Sequence, residues 1–175
     1  MLALLLALAA TIPVETDILV QVKAGKMLCS NPDPASKTCS TIDRLAVRAD
    51  GVLLDSGETL LVPNQPITLE TTSIVHIKAG AMCGVIDMAD FQKGIVRANG
   101  TAVPPERNAM VLAKLSQVFQ PLAGQETCEG LRMENGQLIK VAQVERMDLP
   151  LPGKAVRWIG PDEGYRVAPR PAPSQ

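Results

Sequence analysis

Four cysteines, Cys29, Cys39, Cys83 and Cys128, most constrain how this chain folds. Four cysteines allow three pairings. Cys29 and Cys39 flank a polar, turn-forming loop, residues 30–38, whose ends meet easily, and this pairing leaves Cys83 for Cys128. Loop-closure entropy assigns about 3 kcal/mol to the shorter bridge and about 4 kcal/mol to the longer one. We therefore predict two structural disulfides, Cys29–Cys39 and Cys83–Cys128.

Thiol or metal chemistry is the alternative use of these cysteines. Thiol oxidoreductases use a Cys-x-x-Cys spacing, which no pair here has. A Cys–His dyad would need His76, the only histidine, which faces away from Val75 and Ile77 on a strand and is expected on the solvent face. Zinc sites need clustered cysteines or histidines at short spacing. We therefore predict no catalytic residue, no metal site and no cofactor.

Residues 1–10, Met-Leu-Ala-Leu-Leu-Leu-Ala-Leu-Ala-Ala, have the apolar run of a secretory signal peptide. Ala7-Leu8-Ala9 supplies the small-x-small pattern of a cleavage site, although no basic residue precedes the run. A strand or helix buried in the core is the alternative. Because disulfides persist in oxidising surroundings, the leader and the cysteines together predict a periplasmic or secreted protein. The alanine- and proline-rich composition suggests a bacterial origin.

Composition excludes several classes of partner. The apolar leader is shorter than the roughly 20 residues that a membrane helix needs, so we expect no integral membrane segment in the mature chain. A formal net charge of −1 gives no electrostatic reason to bind nucleic acid. An aromatic fraction of 2% leaves too few rings for stacked bases or for a stacked sugar.

Alternating β-branched residues and glycine turns predict a mostly antiparallel β-sheet. Asp50-Gly51, Asn99-Gly100 and Asn135-Gly136 are tight hairpin signals, because primed turns need positive φ. The runs that we predict as strands are 17–23, 41–49, 59–62, 67–72, 73–79, 127–133, 137–145 and 154–159.

Two phrases recur along the chain and suggest a two-copy repeat over 20–51 and 75–100. Val-Gln-Val-Lys-Ala-Gly, residues 20–25, returns as Val-His-Ile-Lys-Ala-Gly, residues 75–80, and a cysteine follows each copy. Val-Arg-Ala-Asp-Gly, residues 47–51, returns as Val-Arg-Ala-Asn-Gly, residues 96–100. Chance similarity between β-rich segments is the alternative.

One main helix is predicted over about 105–120, where proline and an acidic residue open the run. Its apolar stripe consists of Val111, Leu115, Val118, Phe119 and Leu122. A short helix is predicted near 87–91, with Asp87 as its cap. The fold class is therefore α+β, as one domain over 11–167, followed by a proline-rich disordered tail over 168–175.

Acidic residues offer no linear catalytic motif among the 18 Asp and Glu of the chain. Asp87 with Asp90, or Asp162 with Glu163, could hold an oxygen-liganded metal, but helix capping and turn formation explain them with fewer assumptions. Trp158 fits a core position better than a partner anchor. The sequence thus predicts an exported, disulfide-stabilised module that binds a ligand or supports an envelope assembly through a protein partner. A carboxylate-based hydrolase or lyase is the alternative.

Overall fold

The structure is a computed structural model that describes residues 16–146 and 151–171. Helices run over Ile18–Lys23 (α1), Met88–Gln92 (α2) and Pro105–Phe119 (α3). The first strands run over Met27–Ser30 (β1), Thr38–Cys39 (β2), Thr41–Val47 (β3), Leu53–Val62 (β4), Gln65–Lys78 (β5) and Ala81–Val85 (β6). The later strands run over Ile95–Ala98 (β7), Thr101–Ala102 (β8), Glu126–Glu134 (β9), Gln137–Val144 (β10), Lys154–Ile159 (β11) and Arg166–Val167 (β12).

Eight strands close into an antiparallel barrel, in the order β4, β3, β1, β11, β10, β9, β6 and β5. A long ladder between β4 and β5, from Leu53↔Val75 to Leu60↔Thr68, completes the ring. β5 is shared, because its C-terminal end pairs with β6 while its N-terminal half pairs with β7. The α+β class and the antiparallel pairing are confirmed. The antiparallel sheet that the sequence predicts, built from hairpins, is corrected in one respect, because it closes into a barrel.

The three glycine turns are hairpins, as predicted. They join β3 to β4, β7 to β8 and β9 to β10. Asn99 and Gly100 have φ of 51° and 76°, and Asn135 and Gly136 have φ of 49° and 77°. Both residues of these two turns therefore lie in the left-handed region that the primed turns require, whereas in the Asp50-Gly51 turn only Gly51 does, with a φ of 81°.

The predicted strand over 17–23 is wrong, because this segment is helix α1. The Asp17 carboxylate accepts from the backbone N–H of Val20 at 3.2 Å and caps the helix. Ile18 and Val22 are one helical turn apart, and both are buried in the main core. Packing of these two side chains against the barrel outweighs the β-propensity of the run.

The predicted strands at 59–62, 67–72 and 73–79 belong to two longer strands. β4 begins at Leu53, and β5 runs without a break through 72 and 73. The repeat holds only in part, because residues 20–22 are helical whereas 75–77 are extended. Ala-Gly is a turn in both copies, directly after Lys23 of α1 and Lys78 of β5, and the strand that follows it carries Cys29 in one copy and Cys83 in the other.

Both predicted helices are present, as α2 and α3. Asp87 caps α2 by accepting from Ala89 N–H at 2.8 Å, and Phe91 stacks on Phe119 of α3 with ring centroids 5.1 Å apart. The predicted apolar stripe is wrong at Val118, which is 70% exposed, and it omits Leu112, the buried residue of α3. Leu112 packs on β7 and β5 together with Val111 and Leu115 of the predicted stripe.

The main core fills one end of the barrel, which we call the closed end. Inward side chains of six barrel strands meet the two buried residues of α1 there: Ile18, Val22, Leu28, Leu45, Leu53, Met82, Leu138 and Val156. Trp158 packs against this cluster, in agreement with the predicted core position. α1 therefore covers the closed end.

Both disulfides join the predicted pairs. Cys29–Cys39 lies on the outer face of the barrel, where Ile42 and Ile159 complete a second buried cluster. Cys83–Cys128 links directly opposed residues of β6 and β9. After β12 the chain still contacts this outer cluster, because Ala168 N–H donates to the Cys39 carbonyl at 3.2 Å.

No helix in 16–146 or 151–171 combines the length and the apolar character of a membrane span. The predicted signal peptide, residues 1–10, and the last four residues of the predicted tail lie outside the described residues.

Candidate functional site

Four ionisable side chains from four strands point into the barrel beside the closed end. They are Asp43 on β3, Asp55 on β4, Glu129 on β9 and Lys140 on β10. Each lies two residues along its strand from a leucine that belongs to the main core or packs against it, namely Leu45, Leu53, Leu131 and Leu138. Because side chains alternate between the two faces of a strand, this spacing puts each charge on the inner face.

Lys140 is the centre of the group. Its Nζ lies 3.1 Å from Asp43 Oδ2 and 2.8 Å from Glu129 Oε2. The Lys140 and Asp43 side chains are only 8% and 9% exposed. Burial by itself lowers the pKa of Lys140, but the Asp43 and Glu129 carboxylates outweigh burial and hold that pKa above its ordinary value. Lys140 therefore stays charged and neutralises part of the acidic group.

Asp55 is the acid that lacks such a partner. Its Oδ1 is buried and accepts no hydrogen bond from any described residue. Burial, followed by the charges of Asp43 and Glu129, raises the pKa of Asp55 to about 8, against the opposing effect of Lys140. Burial also raises the pKa of Asp43, although Lys140 opposes that shift. Asp55 thus holds a proton at neutral pH, whereas the neighbouring Asp43 and Glu129 carboxyls each contact Lys140.

A cavity of about 330 Å³ opens onto this group. Hydroxyl groups form much of its wall, from Thr41, Thr59, Thr71, Ser73 and Thr127. The Thr127 Oγ1 is buried and, like Asp55 Oδ1, has no hydrogen-bond partner in the described part of the chain. Buried polar atoms in folded proteins are normally paired with protein or with a bound molecule. Two unpaired buried atoms on residues that line one cavity therefore point to a ligand or to ordered water.

Helix α2 forms the rim of the cavity. Asp87, Asp90 and Phe91 line it, and Asp90 also accepts from Lys93 Nζ at 3.4 Å. Asp87 of the predicted acidic pair thus caps α2, and both Asp87 and Asp90 lie at the cavity mouth. The second predicted pair is elsewhere: the Glu163 carboxylate accepts from Gly160 N–H at 2.7 Å, and this bond lowers the pKa of Glu163. Asp162 is exposed.

The other candidates from the sequence do not reach the cavity. His76 is exposed on the outer face of β5, as predicted, opposite Cys83 in the ladder. Cys83 is disulfide-bonded and therefore offers no thiol to His76. Cys83, Cys128 and Glu126 bring sulfur and oxygen atoms within 4.8 Å, but disulfide sulfurs are not thiolates and do not form a metal site.

Sequence reasoning did not single out Asp43, Asp55, Glu129 or Lys140. The sequence did contain a signal for these residues. Each of them lies two positions along a β-strand from a leucine, so its side chain is on the same inner face as that leucine. A charged residue on the inner face of a β-strand indicates either that the interior is polar at that level or that the strand register is shifted by one residue. What no local pattern could supply is the convergence of two hairpins, β3–β4 and β9–β10, that lie far apart in the sequence.

The arrangement can hold a small polar molecule and can exchange a proton with it. A wall lined by hydroxyls gives hydrogen-bond donors and acceptors, and the protonated Asp55 carboxyl beside two carboxyls that contact Lys140 gives groups that can donate and accept a proton in one cavity. No protein-family model, no curated protein and no solved structure matches this chain.

Proposed function

We propose that this protein is an exported, disulfide-stabilised barrel that binds a small polar ligand in the cavity beside Lys140. Two unpaired buried acceptors, Asp55 Oδ1 and Thr127 Oγ1, support this proposal most directly, because both residues line the cavity. Its volume, about 330 Å³, is at the lower end of the range for small-molecule sites. The barrel strands, with α1 over the closed end, form a rigid frame around it.

Export is the second part of the proposal. Two disulfides are typical of proteins that work in an oxidising compartment, and the predicted signal peptide over residues 1–10 has the same implication. A periplasmic or secreted location fits both. The proposed ligand is therefore one that is available outside the cytoplasm.

Two threonines on one strand provide a matched test of cavity binding. Thr71 lines the cavity, whereas its neighbour Thr72 is exposed on the outer face of β5. The purified protein is screened by thermal shift against primary amines, polyols and carboxylates, and hits are quantified by calorimetry. We expect one-to-one binding that Thr71→Leu weakens at least tenfold and Thr72→Leu leaves unchanged.

Equal weakening by both variants, or by neither, would show that the hits bind outside the cavity. Circular dichroism of the two variants separates loss of binding from loss of folding. If no compound of the three classes binds the wild-type protein, the proposal of a small-ligand binder fails.

Acid–base catalysis is the second candidate, and one observation favours it. Asp55 holds a proton while Asp43 and Glu129 contact Lys140, so a protonated carboxyl shares one cavity with two carboxyls that are paired with a cation. Such pairs supply the acid and the base of hydrolases and lyases. If the protein is such an enzyme, we expect it to turn over chromogenic glycosides or esters. Asp55→Asn should then lower the turnover rate at least 100-fold, whereas Asp162→Asn should leave it unchanged. Equal turnover in the two variants rules out Asp55 as the acid.

A further inference from the structure

We infer that the ligand of this cavity is a small organic amine, bound as its ammonium ion with Asp55 as the counter-ion. This inference rests on the proposed binding function and specifies its ligand class. The balance of charge around the cavity carries it. Five carboxyl groups line the cavity, from Asp43, Asp55, Asp87, Asp90 and Glu129, against two lysines, Lys140 and Lys154.

Most of these carboxyl groups already have partners. Lys140 serves Asp43 and Glu129, Asp87 caps α2, and Asp90 pairs with Lys93. Asp55 alone among the inner acids has no cation within 4.0 Å in the described part of the chain, although it lies deep in the cavity. An ionised Asp55 would therefore have no cationic partner, and a ligand that carries one positive charge would supply that partner.

An ammonium group suits the available acceptors better than a metal ion does. It donates three hydrogen bonds, which carboxylate and hydroxyl oxygens accept equally well. Asp55 Oδ1 and Thr127 Oγ1 are buried acceptors without partners. Apart from the group at the Cys83–Cys128 disulfide, no three acidic, histidine or cysteine residues in the described chain bring ligand atoms within 4.8 Å. The inner acids are thus too dispersed to enclose a bare cation.

The cavity also has a place for the carbon skeleton of an amine. Val75, Met82 and Phe91 contribute apolar surface to the wall. A carboxylate ligand would face the excess of acids and be repelled. An alcohol of the same size would find hydroxyl partners, but it would leave Asp55 protonated and would form no ion pair with it. Charge therefore selects the amine over its neutral and anionic analogues.

Binding of the amine releases a proton. In the empty protein Asp55 is protonated at neutral pH, and the bound ammonium ion favours the carboxylate, so the Asp55 proton passes to solvent as the ion pair forms. The charged groups that act on Asp55 are Asp43 and Arg44 from β3, Glu129 from β9 and Lys140 from β10. Asp87 and Asp90 of α2 and Lys154 of β11 line the same cavity. We expect affinity to rise up to tenfold per pH unit between pH 6 and 8.

Titration calorimetry tests this inference with matched probes. Primary amines from methylamine to spermidine are compared with the alcohols and carboxylates of the same skeletons, at pH 6, 7 and 8, in two buffers of different ionisation enthalpy. We expect at least tenfold preference for the amine and release of nearly one proton per amine at pH 7. Asp55→Asn is expected to lose both effects, whereas Asp162→Asn, which makes the same change at an exposed site, keeps both.

Each other outcome has a definite meaning. Stronger binding of an alcohol or a carboxylate at the same cavity overturns the amine and leaves the binding function intact. Amine binding without proton release, or with full affinity in Asp55→Asn, removes Asp55 as the counter-ion. Absence of binding for every probe overturns both the amine and the proposed function.

Discussion

The two ends of the barrel interior are built from the same strands and differ in almost every physical respect. At the closed end, leucine, valine and methionine side chains pack under α1 and exclude water. One inward position further along the strands, Asp43, Asp55, Glu129 and Lys140 surround a cavity with unpaired polar atoms. The same alternation of side chains thus produces a packed core and a polar chamber within one barrel.

The apolar side chains at the closed end and the charged side chains at the cavity differ in what they contribute to stability. Burial of apolar surface stabilises the closed end by about 25 cal/mol per Å². Burial of charges carries a desolvation cost that ion pairing only partly offsets, and apolar substitutes are often more stable. A group such as Lys140 with Asp43 and Glu129 is therefore poorly explained by stability alone, and the proposed ligand binding offers another reason for it.

Removal of the central cation should have the largest effect. Lys140→Met leaves the Asp43 and Glu129 carboxylates buried without their positive partner. We expect a loss of about 3–5 kcal/mol in the free energy of unfolding, measured by urea denaturation. Lys154→Met, at an exposed edge of the same cavity, should change it by less than about 0.5 kcal/mol. Similar losses in the two variants would show that Lys140 does not hold the acidic group together.

Truncation at the closed end should cost slightly less and act differently. Leu53 is fully buried in the main core, and Leu53→Ala should lower the free energy of unfolding by about 3 kcal/mol. Leu151→Ala, the same change at a side chain that is 41% exposed, is the control. The loss in Leu53→Ala should be the same at pH 6 and pH 8. A pH-dependent loss would mean that the two ends are coupled.

Titration of Asp55 should make the stability of the protein depend on pH. The pKa of Asp55 is about 8 in the folded protein, far above that of the unfolded chain, so the folded state binds more protons between those values. Stability from this group is present at low pH and is lost as pH rises through 8. We expect Asp55→Asn to remove a decline of about 2 kcal/mol between pH 6 and 8. Melting curves of wild type, Asp55→Asn and Asp162→Asn decide this, and parallel pH profiles for wild type and Asp55→Asn contradict it.

Loss of the α1 cap should have the smallest effect. Asp17→Ala removes the acceptor for Val20 N–H and should lower the free energy of unfolding by about 1 kcal/mol. Asp17→Asn keeps an acceptor and should retain most of the stability. Denaturation midpoints of both variants measure the contribution of α1 to the closed end. Equal losses would show that the charge of Asp17, and not its hydrogen bond, matters.

Local signals in the sequence predicted the local parts of the fold. The three glycine turns, helices α2 and α3, and the two disulfide pairs depend on chemistry that lies within a short stretch or on loop length. The segment Ile18–Lys23 was misjudged because its alternating β-branched residues also place Ile18 and Val22 on one helix face. Packing against the barrel selects the helix over the strand, and the local sequence contains no information about that packing.

Closure of the barrel and the site inside it were beyond local reasoning. Closure depends on pairings such as β1 with β11, whose strands lie at opposite ends of the chain. The candidate site brings Asp43 and Lys140 together across the barrel. Their inward phase could be inferred from neighbouring leucines, but their distance of 3.1 Å could not.

The Cys83–Cys128 bridge gives the protein a particular response to proteolysis. Everything between the two cysteines, including α2, β7, β8 and α3, belongs to one covalently closed loop. Lys93, Arg107 and Lys114 are exposed trypsin sites within it. A chain that is cut once at any of them remains one molecule on a non-reducing gel, and it separates into two fragments only when the disulfide is reduced.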